Sequence, residues 1–190
     1  MIRDLRHDNL NAFIGACTDP PNICIITEYC TRGSLKDILD NEDVKLDNMF
    51  IASLVGDILR GVIYLHESSV RYHGALHTAN CLVDSRWVVK LTDFGLREFK
   101  KGSIPQDCPI NDPHKLKDKY HKLLYRAPEI LRKENGLCLD NVEGSQKGDS
   151  YAFGIILYEL HSRHGPFGNS NFSTMEILSK VKNCTLPPFR

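Results

Sequence analysis

Apolar residues recur at spacings of three and four from Phe50 through Leu54, Ile58 and Val62 to Leu65. That period predicts an amphipathic helix of about five turns opening near Asp47. A second apolar set on the same stretch, Ile51, Val55, Leu59 and Ile63, predicts packing on more than one side. Ahead of it, residues 13–18 and 23–29 are short runs rich in apolar and β-branched side chains. They flank Asp19-Pro20-Pro21-Asn22, a turn signal, and so predict an antiparallel hairpin. Gly33-Ser34 then breaks the pattern, and Ser34 is suited to cap a short helix running to Leu39. Residues 80–83 and 87–91, joined through Asp84-Ser85-Arg86, predict a second, tighter hairpin. From Asp149 to His161 the chain is largely apolar, which predicts a buried helix; a last helix is expected over residues 173–182 with Ser173 or Thr174 at its cap. Residues 93–129 are polar and dotted with prolines, and read as one extended functional loop.

Composition narrows the function classes. A chain of 190 residues fits one domain or a large piece of one. Lys plus Arg (24) balances Asp plus Glu (24), so charge gives no case for nucleic acid or an anionic membrane surface. The seven cysteines are an odd set with no C-x-x-C pair, which favours free thiols in a reducing compartment over a disulfide framework or a zinc site. Cys24 and Cys81 lie inside apolar runs and read as buried small hydrophobes. No stretch approaches the ~18–20 apolar residues that span a bilayer, and the charged residues 1–6 lack the apolar core of a signal peptide.

The chemistry-bearing pattern is His73-Gly74-Ala75-Leu76-His77-Thr78-Ala79-Asn80, followed thirteen residues further on by Asp93-Phe94-Gly95 and later by Ala127-Pro128-Glu129. In this order and spacing it resembles the H-R-D-L-x-x-x-N, D-F-G and A-P-E series of protein kinases. Ala75 stands where the proton-accepting Asp belongs and Gly74 where the Arg belongs, so no catalytic residue is assigned. A methyl group neither takes up a proton nor orients a hydroxyl. The resemblance implies that Asp93 holds Mg²⁺. It gives Asn80 either a second Mg²⁺ or a bracing role in the loop, and these weigh equally. His73 reads as core packing beneath Phe94 in preference to a proton shuttle, and His77 as a solvent-facing loop residue. At the end of the second strand, the Glu28 carbonyl and the Cys30 N–H would read adenine, with Leu82 as an apolar floor; the plain alternative is a strand end before a turn. Gly95 completes the D-F-G turn, Glu129 would pair with an Arg on a later helix, and Asp149 would brace the catalytic-loop backbone. The Lys- and His-rich residues 114–122 read as a solvated loop face.

A closer resemblance rests on Phe13-Ile14-Gly15-Ala16-Cys17-Thr18-Asp19-Pro20-Pro21-Asn22-Ile23-Cys24, on Thr27-Glu28-Tyr29-Cys30-Thr31-Arg32-Gly33-Ser34-Leu35-Lys36-Asp37-Ile38-Leu39, on His73-Gly74 with Asn80-Cys81, and on Pro187-Pro188-Phe189-Arg190. These resemble the kinase-homology domain of receptor guanylyl cyclases of the natriuretic-peptide-receptor type. The resemblance implies an α+β, protein-kinase-like fold incomplete at both ends. Residues 1–30 would be the end of the N-lobe and the hinge, and residues 31–190 a mostly helical C-lobe. The glycine-rich loop, the phosphate-binding Lys and its Glu partner would precede Met1, and the last helices of the lobe would follow Arg190. Tyr125-Arg126 departs from the Trp-Thr usual before A-P-E in that family. The implied setting is the cytoplasmic side of a single-pass, homodimeric membrane receptor, where the domain binds ATP, with Mg²⁺ as a companion. It regulates, without phosphotransfer, a cyclase domain in the same parent chain that converts GTP to cGMP. The rival expectations are an active kinase with a repositioned base and a scaffold that binds partners without nucleotide. A further expectation is that missing helices leave apolar faces of the Asp149 helix uncovered and the segment poorly stable alone.

Overall fold

The computed structural model describes residues 2–95, 113–133 and 143–183. Cys108, Cys138, Cys184 and the 187–190 motif lie outside the described residues. Strands β1 (Phe13–Cys17) and β2 (Cys24–Thr27) pair antiparallel, with Gly15 opposite Ile26, Ala16 opposite Ile25 and Cys17 opposite Cys24. Ile14 is 66% and Ile26 51% exposed, so neither face of this hairpin is buried. Cys24 shares that exposure and is not the buried hydrophobe expected from its apolar neighbours; Cys81 is fully buried.

Helix α1 (Leu35–Asp40) begins with a capping box. The Ser34 hydroxyl accepts from the Asp37 amide at 3.2 Å, and the Asp37 carboxylate accepts from the Ser34 amide at 2.8 Å. Helix α2 (Asn48–Glu67) is capped by Asp47, whose Oδ1 accepts from the Phe50 amide at 2.7 Å. Its buried positions, Ile51, Leu54, Ile58, Val62 and Leu65, follow the helical period. The second predicted stripe splits: Ile51 is buried, but Leu59 is 39% and Ile63 53% exposed. By length and a mean hydropathy of 1.4, α2 is long and apolar enough to cross a bilayer, a combination the sequence reading did not expect of any stretch. Here it is a core helix, and it buries the carboxylate of Asp57.

That carboxylate explains how the second hairpin is held. Strands β3 (Cys81–Val83) and β4 (Val89–Leu91) pair antiparallel, with Leu82 opposite Lys90. Asp57 Oδ2 accepts from the Val89 amide at 2.8 Å, and Asn9 Nδ2 donates to the Val89 carbonyl at 3.0 Å. Both outer edges are paired. Leu91 donates to Asn9 O (2.9 Å) and Asn11 donates to Leu91 O (2.8 Å) on one side. On the other, Val83 donates to Gly33 O (2.8 Å) and Arg32 to Val83 O (3.1 Å). Pairing along both edges keeps the ladder from presenting an open strand edge. Gly61 permits α2 to approach this closely, because a Cβ there would lie 2.8 Å from the Asn9 carbonyl oxygen.

Helix α3 (Pro113–Leu123) falls within the predicted loop and on the predicted solvated face. Leu116, Tyr120 and Leu123, spaced four and three apart, are the helical stripe that its many Lys and His residues mask. Short helix α4 (Pro128–Lys133) buries Ile130 and Leu131. Helix α5 (Gln146–Ser162) starts one residue after its cap Ser145, ahead of the predicted start at Asp149. Its apolar face is covered, with Ile155, Ile156 and Leu160 almost fully buried; the expected uncovered surface reduces to Tyr158, 47% exposed. Arg163 then takes a left-handed φ of 57°. Its guanidinium donates to the carbonyls of Ile38, Leu39, Asn41 and Val44 at 2.6–3.3 Å, fastening the end of α5 to the end of α1. Helix α6 (Thr174–Lys182) opens with a second capping box, Ser173 with Glu176.

Candidate functional site

The loop between α2 and β3 is built around one buried carboxylate. Asp149, in the first turn of α5, accepts from the His73 amide at 2.7 Å and the Gly74 amide at 2.8 Å. Its Oδ2 also lies 2.9 Å from His66 Nε2 on the last turn of α2. A carboxylate buried among donors is satisfied by them and in turn fixes the backbone that carries them. Gly74 has a φ of +77°, and a Cβ there would press on the Tyr72 ring at 3.2 Å, so glycine fits where a larger residue would be strained.

The side chain of Asn80 closes the other end of the loop. Its Nδ2 donates to the carbonyl of Ala75 at 2.9 Å, and the Thr92 amide donates to the Asn80 carbonyl at 3.0 Å, tying the loop to the residue before Asp93. Asp93 has a left-handed φ of 64°. Phe94 is buried, and its ring meets that of His73 edge to face at 6.2 Å between centroids. Burial, opposed by the Asp149 and Asp93 carboxylates, holds the His73 imidazole below its usual pKa. His77 is 7% exposed and not the solvent-facing residue expected from its loop position. Its ring stacks at a tilt against Tyr125, 5.7 Å away. Burial and the nearby Lys122, His73, His121 and Arg126 push His77 down to about 3.

A second buried link, which sequence reasoning missed, joins the loop to Tyr125, near the end of the 93–129 segment. The Tyr125 hydroxyl lies 3.0 Å from Thr78 Oγ1 and donates to Glu159 Oε2 at 2.5 Å. Burial raises the pKa of both Tyr125 and Glu159. The sequence signal was a buried acid in the apolar run of α5, three residues beyond Ile156. Glu129 is exposed in the first turn of α4, and Gly95 follows Phe94 with a φ of +66°.

Gly74, Ala75, Asn80, Asp93 and Asp149 line a cavity of about 400 Å³, to which Lys119, Lys122 and Arg126 also contribute. Glu28, Cys30 and Leu82 do not line it. They gather on the β3–β4 hairpin instead: Lys90, opposite Leu82, reaches Glu28 Oε2 with its ammonium at 2.6 Å. Cys30 is buried beside this pair, and burial pushes its thiol up.

Arrangement and motif order together define a protein-kinase-like domain. A family model described as protein tyrosine and serine/threonine kinase matches residues 1–188, and the chain belongs to that family. Among the curated proteins it resembles are receptor guanylate cyclases. It is 48% identical over 193 residues to the receptor-type guanylate cyclase Gyc76C of Drosophila melanogaster, covering 100% of this chain and 12% of that protein. It is 47% identical to the speract receptor of Strongylocentrotus purpuratus, with 100% of this chain and 16% of that one covered. It is 48% identical to atrial natriuretic peptide receptor 2 of Homo sapiens, with 100% and 17% covered. The chain thus spans less than a fifth of the length of these relatives.

Proposed function

We propose that this chain is the regulatory pseudokinase segment of a membrane receptor guanylate cyclase, binding ATP in its full context without phosphotransfer. The observation that carries the reading is Ala75. The loop around it is braced at both ends, by Asp149 and by Asn80, while the one position that needs a carboxylate holds a methyl group. Loss of a general base costs about 10²–10⁴ in rate, so a site built this way retains binding and loses chemistry. In the parent, the segment lies on the cytoplasmic side of a single membrane span. Two copies pair, and the domain governs a cyclase domain of the same chain that turns GTP into cGMP; the receptor and guanylate cyclase in the relatives' names support the receptor and cyclase parts of that setting.

Within the segment, the Glu28 carbonyl and the Cys30 amide read adenine over Leu82, whose face of β3–β4 also carries the Lys90–Glu28 pair. Asn80 and Asp93 fit Mg²⁺: they offer an amide oxygen and a carboxylate, hard donors that both line the cavity. Among the described residues no cluster of three or more His, Cys, Asp or Glu side chains is placed to hold a metal alone. That suits an ion that keeps its waters and is held jointly with phosphate oxygens. When bound, Mg²⁺ would neutralise phosphate charge, and the chain's own contribution is to keep Asn80 and Asp93 fixed through the Ala75 carbonyl and the Thr92 amide.

Calorimetric titration of the parent's complete cytoplasmic region with ATP and Mg²⁺ tests the reading. Saturable binding weakened by Asp93→Ala is expected. No binding would make the domain a scaffold that acts without nucleotide.

A further inference from the structure

Cys17 and Cys24 stand directly opposite one another in the β1–β2 register. Paired residues of an antiparallel ladder send their side chains to the same face, with Cα atoms about 4.5–5.5 Å apart. A disulfide accepts Cα separations of about 4.4–6.8 Å, so the register brings this pair within bridging range. Their face of the hairpin is open. Cys24 is exposed and Cys17 half-buried, and nothing lies within 4 Å of where a Cβ on the neighbouring Gly15 would sit. The other two cysteines of the described residues, Cys30 and Cys81, are buried.

We propose that Cys17 and Cys24 are a reversible redox pair, oxidised by a hydroperoxide to an intrachain disulfide that clamps the β1–β2 hairpin. The exposed Cys24 sulfur attacks a peroxide oxygen. The O–O bond breaks, Cys24 becomes a sulfenic acid, and one water leaves when the oxidant is hydrogen peroxide. The Cys17 sulfur then attacks the Cys24 sulfur, the S–O bond breaks, and the hydroxide leaves as a second water with the Cys17 proton. Two thiols have given up two electrons, and one peroxide has taken them. A small-molecule thiol such as glutathione reverses the step by exchange. The bridge closes the turn of residues 17–24 and pins the end of a ladder whose register shifts between Phe13 and Gly15. An exposed pair of this kind in a reducing compartment is a transient, sensing disulfide and not a structural one. The proposal stands independently of nucleotide binding.

The test uses the intact parent protein, treated with hydrogen peroxide and then with N-ethylmaleimide to block remaining thiols. Acid cleavage at Asp19–Pro20 separates the two cysteines, and mass spectrometry reads their state. The expected result is a pair of peptides that stay joined until a reductant is added, with alkylation lost at both Cys17 and Cys24. Cys17→Ser should halt the reaction at a dimedone-trappable sulfenic acid on Cys24, and Cys24→Ser should leave Cys17 alkylated. Amide exchange across residues 13–27 should slow on oxidation in the wild type and in neither variant. Full alkylation of both thiols after peroxide, or a bridge from either one to a different cysteine, would overturn the proposal.

Discussion

The two hairpins of this domain have the same local architecture and opposite circumstances. In β3–β4 every residue but Leu82 is buried, Asp57 and Asn9 hold the Val89 backbone, and both edges are paired by segments distant in sequence. In β1–β2 exposure alternates along both strands, with large apolar side chains open to solvent. An isolated two-stranded ribbon is marginal in water, so the difference in packing is the difference in stability. It also separates the roles. The rigid hairpin carries Asn80 and Asp93 at its ends, where position matters, while the open one carries the reactive pair Cys17 and Cys24.

Breaking the rigid side should cost most. Asp149→Ala removes the acceptor of two loop amides and the partner of His66. A loss of about 3–5 kcal/mol in denaturant unfolding of the complete domain is expected, as for a buried charge network cut at one member. Leu91→Ala, at a site with no exposure, should cost about 2–5 kcal/mol. Ile14→Ala on β1 should change stability by less than about 0.5 kcal/mol. Equal losses at the two sites would dissolve the comparison.

Acid should weaken the same rigid side. His77 has a folded pKa of about 3, well below its unfolded value, so its contribution is complete above pH 6.5. It is lost as pH falls from there toward 3, because the unfolded state takes up the proton first. The expected loss is about 2 kcal/mol between pH 7.5 and pH 5. His77→Gln should flatten that slope in urea titrations run across the range. A smaller effect is expected at Gly74: an Arg there meets a left-handed backbone, which costs about 1–2 kcal/mol. Thermal melts of Gly74→Arg beside Ala75→Asp separate this strain from any effect of the restored carboxylate.

Much of this was legible in the chain. The caps Ser34, Asp47 and Ser173 mark their helices because each offers a side-chain oxygen where the first turn lacks acceptors. The catalytic frame was legible as spacing, since the motif fixes which residues share a loop. Burial was not. Cys24 and His77 were assigned opposite environments from those they occupy, because exposure depends on which layer covers an element, and that layer comes from elsewhere in the sequence. Helix α3 was hidden by charge: its stripe of Leu116, Tyr120 and Leu123 is thin against its Lys and His residues. The Thr78–Tyr125–Glu159 link joins residues far apart in the chain, and its one local sign is Glu159 within the apolar run of α5.

The central claim is a braced site without a base, and phosphotransfer measures it most directly. The complete cytoplasmic region of the parent would be incubated with γ-labelled ATP and Mg²⁺, as wild type, Asp93→Ala and Ala75→Asp. The account predicts no transfer by the wild type above the Asp93→Ala background, alongside retained ATP binding. Transfer by the wild type that Asp93→Ala abolishes would contradict it, because a working base would then have to sit somewhere other than position 75.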